Sequence, residues 1–100
     1  MRTSALIVDG YDIRILISEA EEKFPGIRDS FEYDSLKDRF IDFTMSCDKQ
    51  EQVEFMKNRI REGLQKLKRS INFDHPSQRN TRQGLVFEAF LDIIVAYDLL

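Results

Sequence analysis

Residues 85–100 read LVFEAFLDIIVAYDLL, and this stretch decides the fold. Thirteen of its sixteen residues are apolar, and only Glu88, Asp92 and Asp98 interrupt them. It holds neither Gly nor Pro and exceeds the length of an ordinary strand. Wound at about 100° per residue, it places Glu88 and Asp92 one turn apart on a narrow polar stripe. Val95 and Leu99 continue that stripe in apolar form, so the last two turns are apolar on every side. A helix of this kind is either central to its fold or covered by a partner. Three acids in sixteen residues argue against a membrane span, which needs about 20 largely uncharged residues.

Working outward, the clearest neighbour is a helix over about residues 49–70. Asp48 and Glu51 form a capping box at its start. Val53, Met56, Ile60, Leu64, Leu67 and Ile71 then keep spacings of three and four, which is one continuous apolar face. Lys57, Arg61 and Lys68 border that face on one side, and Arg59 and Lys66 border it on the other. Long cationic side chains beside an apolar seam lay their stems on the core edge and keep their heads in water. Phe55 falls opposite the apolar face, one turn before Arg59, an anchor composition for a protein contact.

A second helix is expected from Asp34 or Ser35 to about Ser46, with Leu36, Phe40, Phe43 and Cys47 as its core stripe. Ile41 and Met45 lie almost opposite that stripe. Residues 25–33, PGIRDSFEY, read as a connection. Residues 5–24 admit two readings. Ile13, Leu16, Ile17, Ala20 and Phe24 follow helical spacing, with Asp9 as a cap and Phe24-Pro25-Gly26 as a stop. Against this, Asp9-Gly10 stands between ALIV and the alternating Tyr11, Ile13, Ile15 and Ile17, a hairpin signal. The helical pattern outlasts the alternation, so the helix is the preferred reading, with Tyr11 and Ile15 pointing away from its main face. The expected fold is therefore an all-α, single-domain bundle of about four helices around residues 85–100, the alternative being α+β with an N-terminal hairpin.

The 100 residues are 42% apolar and 33% charged, the balance of a single globular domain. The net charge of −3 conceals an asymmetry: residues 1–48 carry six Lys/Arg against eleven Asp/Glu, and residues 49–84 carry nine against four. Pairing of the two halves inside the fold is the simpler outcome; two surfaces of opposite sign are the other. A single cysteine, Cys47, cannot form an internal disulfide and suits a reducing cytosol. The start, MRTSALIVDG, has an apolar run too short for a signal peptide, so a cytoplasmic location is expected.

The motifs of catalysis are sparse. His75 is the only histidine and lies in the polar segment 72–84, NFDHPSQRNTRQG. Asn80 with Gln83 can cap the final helix there, or Pro76 can begin it earlier. Arg79 and Arg82, near a helix N-terminus, form a candidate anion site. No G-x-S-x-G, no Gly-rich phosphate loop and no second metal ligand accompany His75, and no E-x-x-H accompanies Glu88 and Asp92. No enzyme activity, cofactor or metal is expected. Tyr11, Ile15, Ile41, Met45, Phe55, Val95 and Leu99 are instead apolar positions off the main stripes, a surplus over what four short helices bury. With Arg59, they are the candidate contacts of a non-enzymatic protein-interaction module, an adaptor, inhibitor, immunity-type or assembly protein, with a homodimer as the simplest form. A nucleic-acid-binding regulator using the basic segment 57–82 is the alternative.

Overall fold

The computed structural model describes residues 6–70 and 79–100, with side chains described from Gln83 onward in the second stretch. The chain is an all-α bundle that opens with a small hairpin. Two two-residue strands, β1 (Ile7–Val8) and β2 (Tyr11–Asp12), are followed by α1 (Ile13–Lys23), a 3₁₀ turn at Ile27–Asp29, α2 (Phe31–Thr44), α3 (Lys49–Ser70) and α4 (Arg79–Leu99).

Both readings of the N-terminus hold, one after the other. Asp9 and Gly10 sit at φ 52° and 85°, the two positive values that a tight primed turn demands. β1 and β2 pair antiparallel, Ile7 opposite Asp12 and Val8 opposite Tyr11. The expected cap, Asp9, is thus used in the turn, and the cap of α1 is Asp12, whose Oδ1 accepts from the Arg14 amide at 3.0 Å. Alternation stops where that cap begins. Ile13, Ile17 and Ala20 are the buried side of α1, and Gly26 at φ 81° reverses the chain after Phe24-Pro25.

α2 starts earlier than its spacing implied. Ser30 caps it, its Oγ accepting from the Tyr33 amide at 3.1 Å and donating to the Ile27 carbonyl at 2.6 Å. Its buried side is Tyr33, Leu36, Phe40 and Thr44, not Leu36, Phe40, Phe43 and Cys47. Both sets obey spacings of three and four. Thr44 can occupy a buried position because its hydroxyl donates to the Phe40 carbonyl at 2.8 Å, within the same helix. Phe43 is left largely exposed. Cys47 is a free thiol, half-buried at the corner between α2 and α3. Gln52 braces that corner by donating to the carbonyls of Thr44 and Cys47 at 3.0 and 3.2 Å.

The capping box at the start of α3 is formed as its residues imply. The Glu51 amide donates to Asp48 Oδ1 at 2.8 Å, and the Asp48 amide donates to Glu51 Oε1 at 3.0 Å. Met56, Ile60 and Leu64 are buried along α3, while Val53 and Leu67 are partly buried; Ile71 lies outside the described residues. α3 and α4 run antiparallel at close range. A Cβ added at Gly63 would stand 2.6 Å from Ile93 Cγ1 and 2.8 Å from the Ala89 carbonyl oxygen, so only glycine permits this approach.

α4 is the centre. Residues 89–96 are buried without interruption, and the helix is packed by α1, α2 and α3. Phe24 meets the rings of Phe87 and Phe90 edge-on at 5.1 and 6.3 Å. Each large side chain buried here stabilises the fold by roughly 1.5–3 kcal/mol. Apolar density on every side of one helix is the reason it sits in the middle.

Candidate interaction surface

The outward side of α2 follows from its buried side. With Tyr33, Leu36, Phe40 and Thr44 turned inward, helical geometry turns Phe31, Asp34, Asp38, Ile41, Asp42 and Met45 outward, and all six are exposed. Phe31 is 81% exposed, Met45 71% and Ile41 41%. At the far end of this face Ile41, Thr44, Met45, Gln52, Met56 and Leu99 line a concavity of about 200 Å³, where the ends of α2 and α4 meet the start of α3. Leu99 is partly buried in its wall, and Leu100 beyond it is exposed. Ile41, Met45 and Leu99 are therefore brought together.

Other expected contacts are not. Tyr11 and Ile15, 40% and 59% exposed, belong to the hairpin and α1, and neither lines this concavity. Val95 is 0% exposed and part of the core, which corrects its assignment to a partner surface. It continues the polar stripe of Glu88 and Asp92 in projection, but α4 is enclosed on that side as well.

Phe55 and Arg59 also find their neighbours inside the chain. Phe55 is partly buried, edge-on to Phe40 at 5.5 Å and tilted against Phe43 at 6.0 Å. The Arg59 guanidinium lies 5.2 Å from the Phe40 ring centroid and 6.0 Å from that of Phe55. Phe40 and Phe43 of α2 thus meet α3 at Phe55 and Arg59, a contact that spacing within α3 alone does not reveal. Neither residue is left as a free anchor. The side chains of Arg79 and Arg82, the candidate anion site, and His75 lie outside the described residues.

Two ionic clusters tie the chain together. Asp92 is buried, and Lys66 Nζ donates to it at 2.7 Å, with Arg59 Nη2 at 3.9 Å. The lone buried acid of α4 is neutralised by the two cations on one flank of α3. The second cluster holds the end of α4. Asp98 accepts from Arg28 Nε at 2.9 Å, Arg28 Nη2 at 3.0 Å and the Tyr33 hydroxyl at 2.7 Å, while Arg28 also pairs with Glu21. The cation that relieves Asp98 at the negative end of the helix dipole is Arg28, from the 3₁₀ turn. Burial works to raise the Asp98 pKa, but the hydrogen bonds from Arg28 and Tyr33 outweigh it and hold the carboxyl below its usual range. The hydrogen bond to Asp98 raises Arg28 against the effect of burial. Burial, aided by that same carboxylate, pushes Tyr33 up to about 12.

A wider recess of about 380 Å³ between α2, α3 and α4 has Arg39, Arg59 and Lys66 facing Glu32, Glu88 and Asp92. Its charges balance, so it favours neither an anion nor a cation. Among the described residues no group of three His, Cys, Asp or Glu side chains could hold a metal ion, and no helix is long and apolar enough to cross a membrane. Compared with known protein families, with curated proteins and with solved structures, the chain matches none of them.

Proposed function

We propose that the chain is a non-enzymatic, cytoplasmic protein-interaction module that acts by laying the outward face of α2 and the adjoining end of α4 on the surface of a protein partner, a second copy included. The observation that carries this reading is the exposure of Phe31, Ile41 and Met45 along one side of a 14-residue helix, ending in the concavity walled by Leu99. Apolar side chains of this size aligned on one face are what an interface buries. An adaptor, inhibitor or assembly role needs nothing more than such a face. The alternative, nucleic-acid binding through segment 57–82, is disfavoured by the use of two of its cations: Arg59 and Lys66 serve Asp92.

The test is the pair Phe31→Lys and Met45→Lys in one variant, with partner retention in a pull-down from the native host and solution mass as readouts. Both the captured protein and any self-association should be lost while helix content stays unchanged. Binding that survives this variant would show the face to be inert. Salt-sensitive binding of the wild type to nucleic acid in a polarisation assay would favour the alternative.

A further inference from the structure

The two ends of the charge asymmetry surface at different places, and each is accompanied by exposed apolar side chains. On α2 the outward face joins Phe31, Ile41 and Met45 to Asp34, Asp38 and Asp42, and no cation occupies the helical positions among them. On α3 the flank away from Asp92 carries Lys57, Arg61 and Lys68, at spacings of four and seven on one side of the helix. That flank adjoins the N-terminal hairpin: Arg61 Nε is 3.7 Å from Asp9 Oδ1, and Lys68 Nζ is 5.7 Å from the Tyr11 ring centroid. Ile7 and Tyr11 stay exposed beside it. One surface is apolar with acids, the other apolar with cations.

We propose that the partner of the α2 face is a second copy of this chain, received on that copy's basic edge of Lys57, Arg61 and Lys68 beside the hairpin. This rests on the reading of α2 as an interaction face and names its occupant. Matched opposite charges around apolar contacts select orientation and partner, and like charges brought together are rejected. α2 packed on α2 would set three acids against three acids, so that contact is excluded. α2 on the basic edge brings acids to cations and covers Phe31, Ile41 and Met45 with the hairpin's exposed apolar residues. The contact joins two different surfaces of identical chains, a heterologous arrangement.

The experiment is sedimentation equilibrium of the purified chain, with charge reversals on each surface. Asp34 is kept because it favours the N-terminus of α2, and Arg61 because it pairs with Asp9. Wild type should exceed monomer mass at high micromolar concentration and lose mass as salt is raised, since rim charges are screened over about 8 Å at physiological ionic strength. Asp38→Lys with Asp42→Lys, and separately Lys57→Glu with Lys68→Glu, should each be monomeric with unchanged circular dichroism. Mixed in equal amounts, the two should recover the wild-type mass, because each supplies the sign the other lost. Asp38→Asn with Asp42→Asn, which removes the charge without reversing it, should weaken association less than Asp38→Lys with Asp42→Lys and leave circular dichroism unchanged, which separates charge from folding. A monomeric wild type, reversals that leave the mass unchanged, or a mixture that stays monomeric overturns the proposal. If wild type is monomeric yet Phe31→Lys with Met45→Lys loses a different protein in the pull-down, only the second copy is excluded and the interaction face stands.

Discussion

α4 and α2 both carry more apolar residues than a one-sided helix needs, and the fold treats them in opposite ways. In α4, residues 89–96 are buried on every side, and even Asp92 is taken inside with Lys66 to meet it. In α2 one side is buried through Tyr33, Leu36, Phe40 and Thr44, and Phe31, Ile41, Phe43 and Met45 are left outside. The difference lies in what separates the apolar residues. Those of α4 run nearly unbroken, so no orientation leaves it a wet side. Those of α2 alternate with Asp34, Asp38 and Asp42, and any arrangement that buried Ile41 and Met45 within this chain would bury unpaired carboxylates too. That would cost more than the apolar burial returns.

The comparison breaks most visibly at Val95. Val95→Lys places a charge where the side chain is 0% exposed, so the loss should be on the order of 4 kcal/mol or more, and the protein should unfold. Urea denaturation followed by circular dichroism measures it, and a native midpoint would contradict the central place of α4. The approach of α3 to α4 gives the next effect. Gly63→Ala must displace Ile93 or the Ala89 backbone, an overpacking cost of roughly 1–3 kcal/mol. Gly84→Ala, with nothing within 4 Å of the new Cβ, should instead raise stability by up to about 1 kcal/mol through helix propensity. Equal effects at the two glycines would mean the helices are not that close.

A smaller change is expected where α4 is fastened to the turn before α2. Asp98→Asn removes the carboxylate that Arg28 and Tyr33 share, at about 1 kcal/mol for a partly exposed pair. The sign of the pH dependence follows from the shifts. Asp98 titrates low when folded, so its contribution is complete above the ordinary carboxylate range and fades as pH falls through the lowered value. Tyr33 titrates high, so folding favours the neutral phenol; stability is complete below about 10 and declines as pH rises toward about 12. Asp98→Asn should blunt the acid limb, and Tyr33→Phe the alkaline one, in urea midpoints taken across pH. The smallest effect on stability closes the comparison. Met45→Lys, on the open side of α2, should change the midpoint by no more than about 0.5 kcal/mol. Its effect should appear only as lost association, and a large destabilisation would place Met45 in a core.

Much of this was legible in the residues themselves. The capping box of Asp48 and Glu51, the seam of Met56, Ile60 and Leu64, and the central position of α4 follow from local rules, because spacing and hydrogen-bonding capacity are properties of short segments. The exposure of Tyr11, Ile15, Ile41 and Met45 was readable for the same reason.

What tertiary structure alone decided is how the segments face one another. Spacing within α2 allowed two buried stripes, and packing against α4 and the 3₁₀ turn buried the one of Tyr33, Leu36, Phe40 and Thr44. Spacing within α3 put Phe55 opposite the seam and Arg59 on its border, yet α2 packs its Phe40 ring against both. Val95 passed from supposed interface to core because three helices surround α4, and Arg28 reached Asp98 across seventy residues of chain. Local patterns set the angle at which a side chain leaves its helix; only the packing of the other helices determines whether water, a neighbour or another molecule waits there.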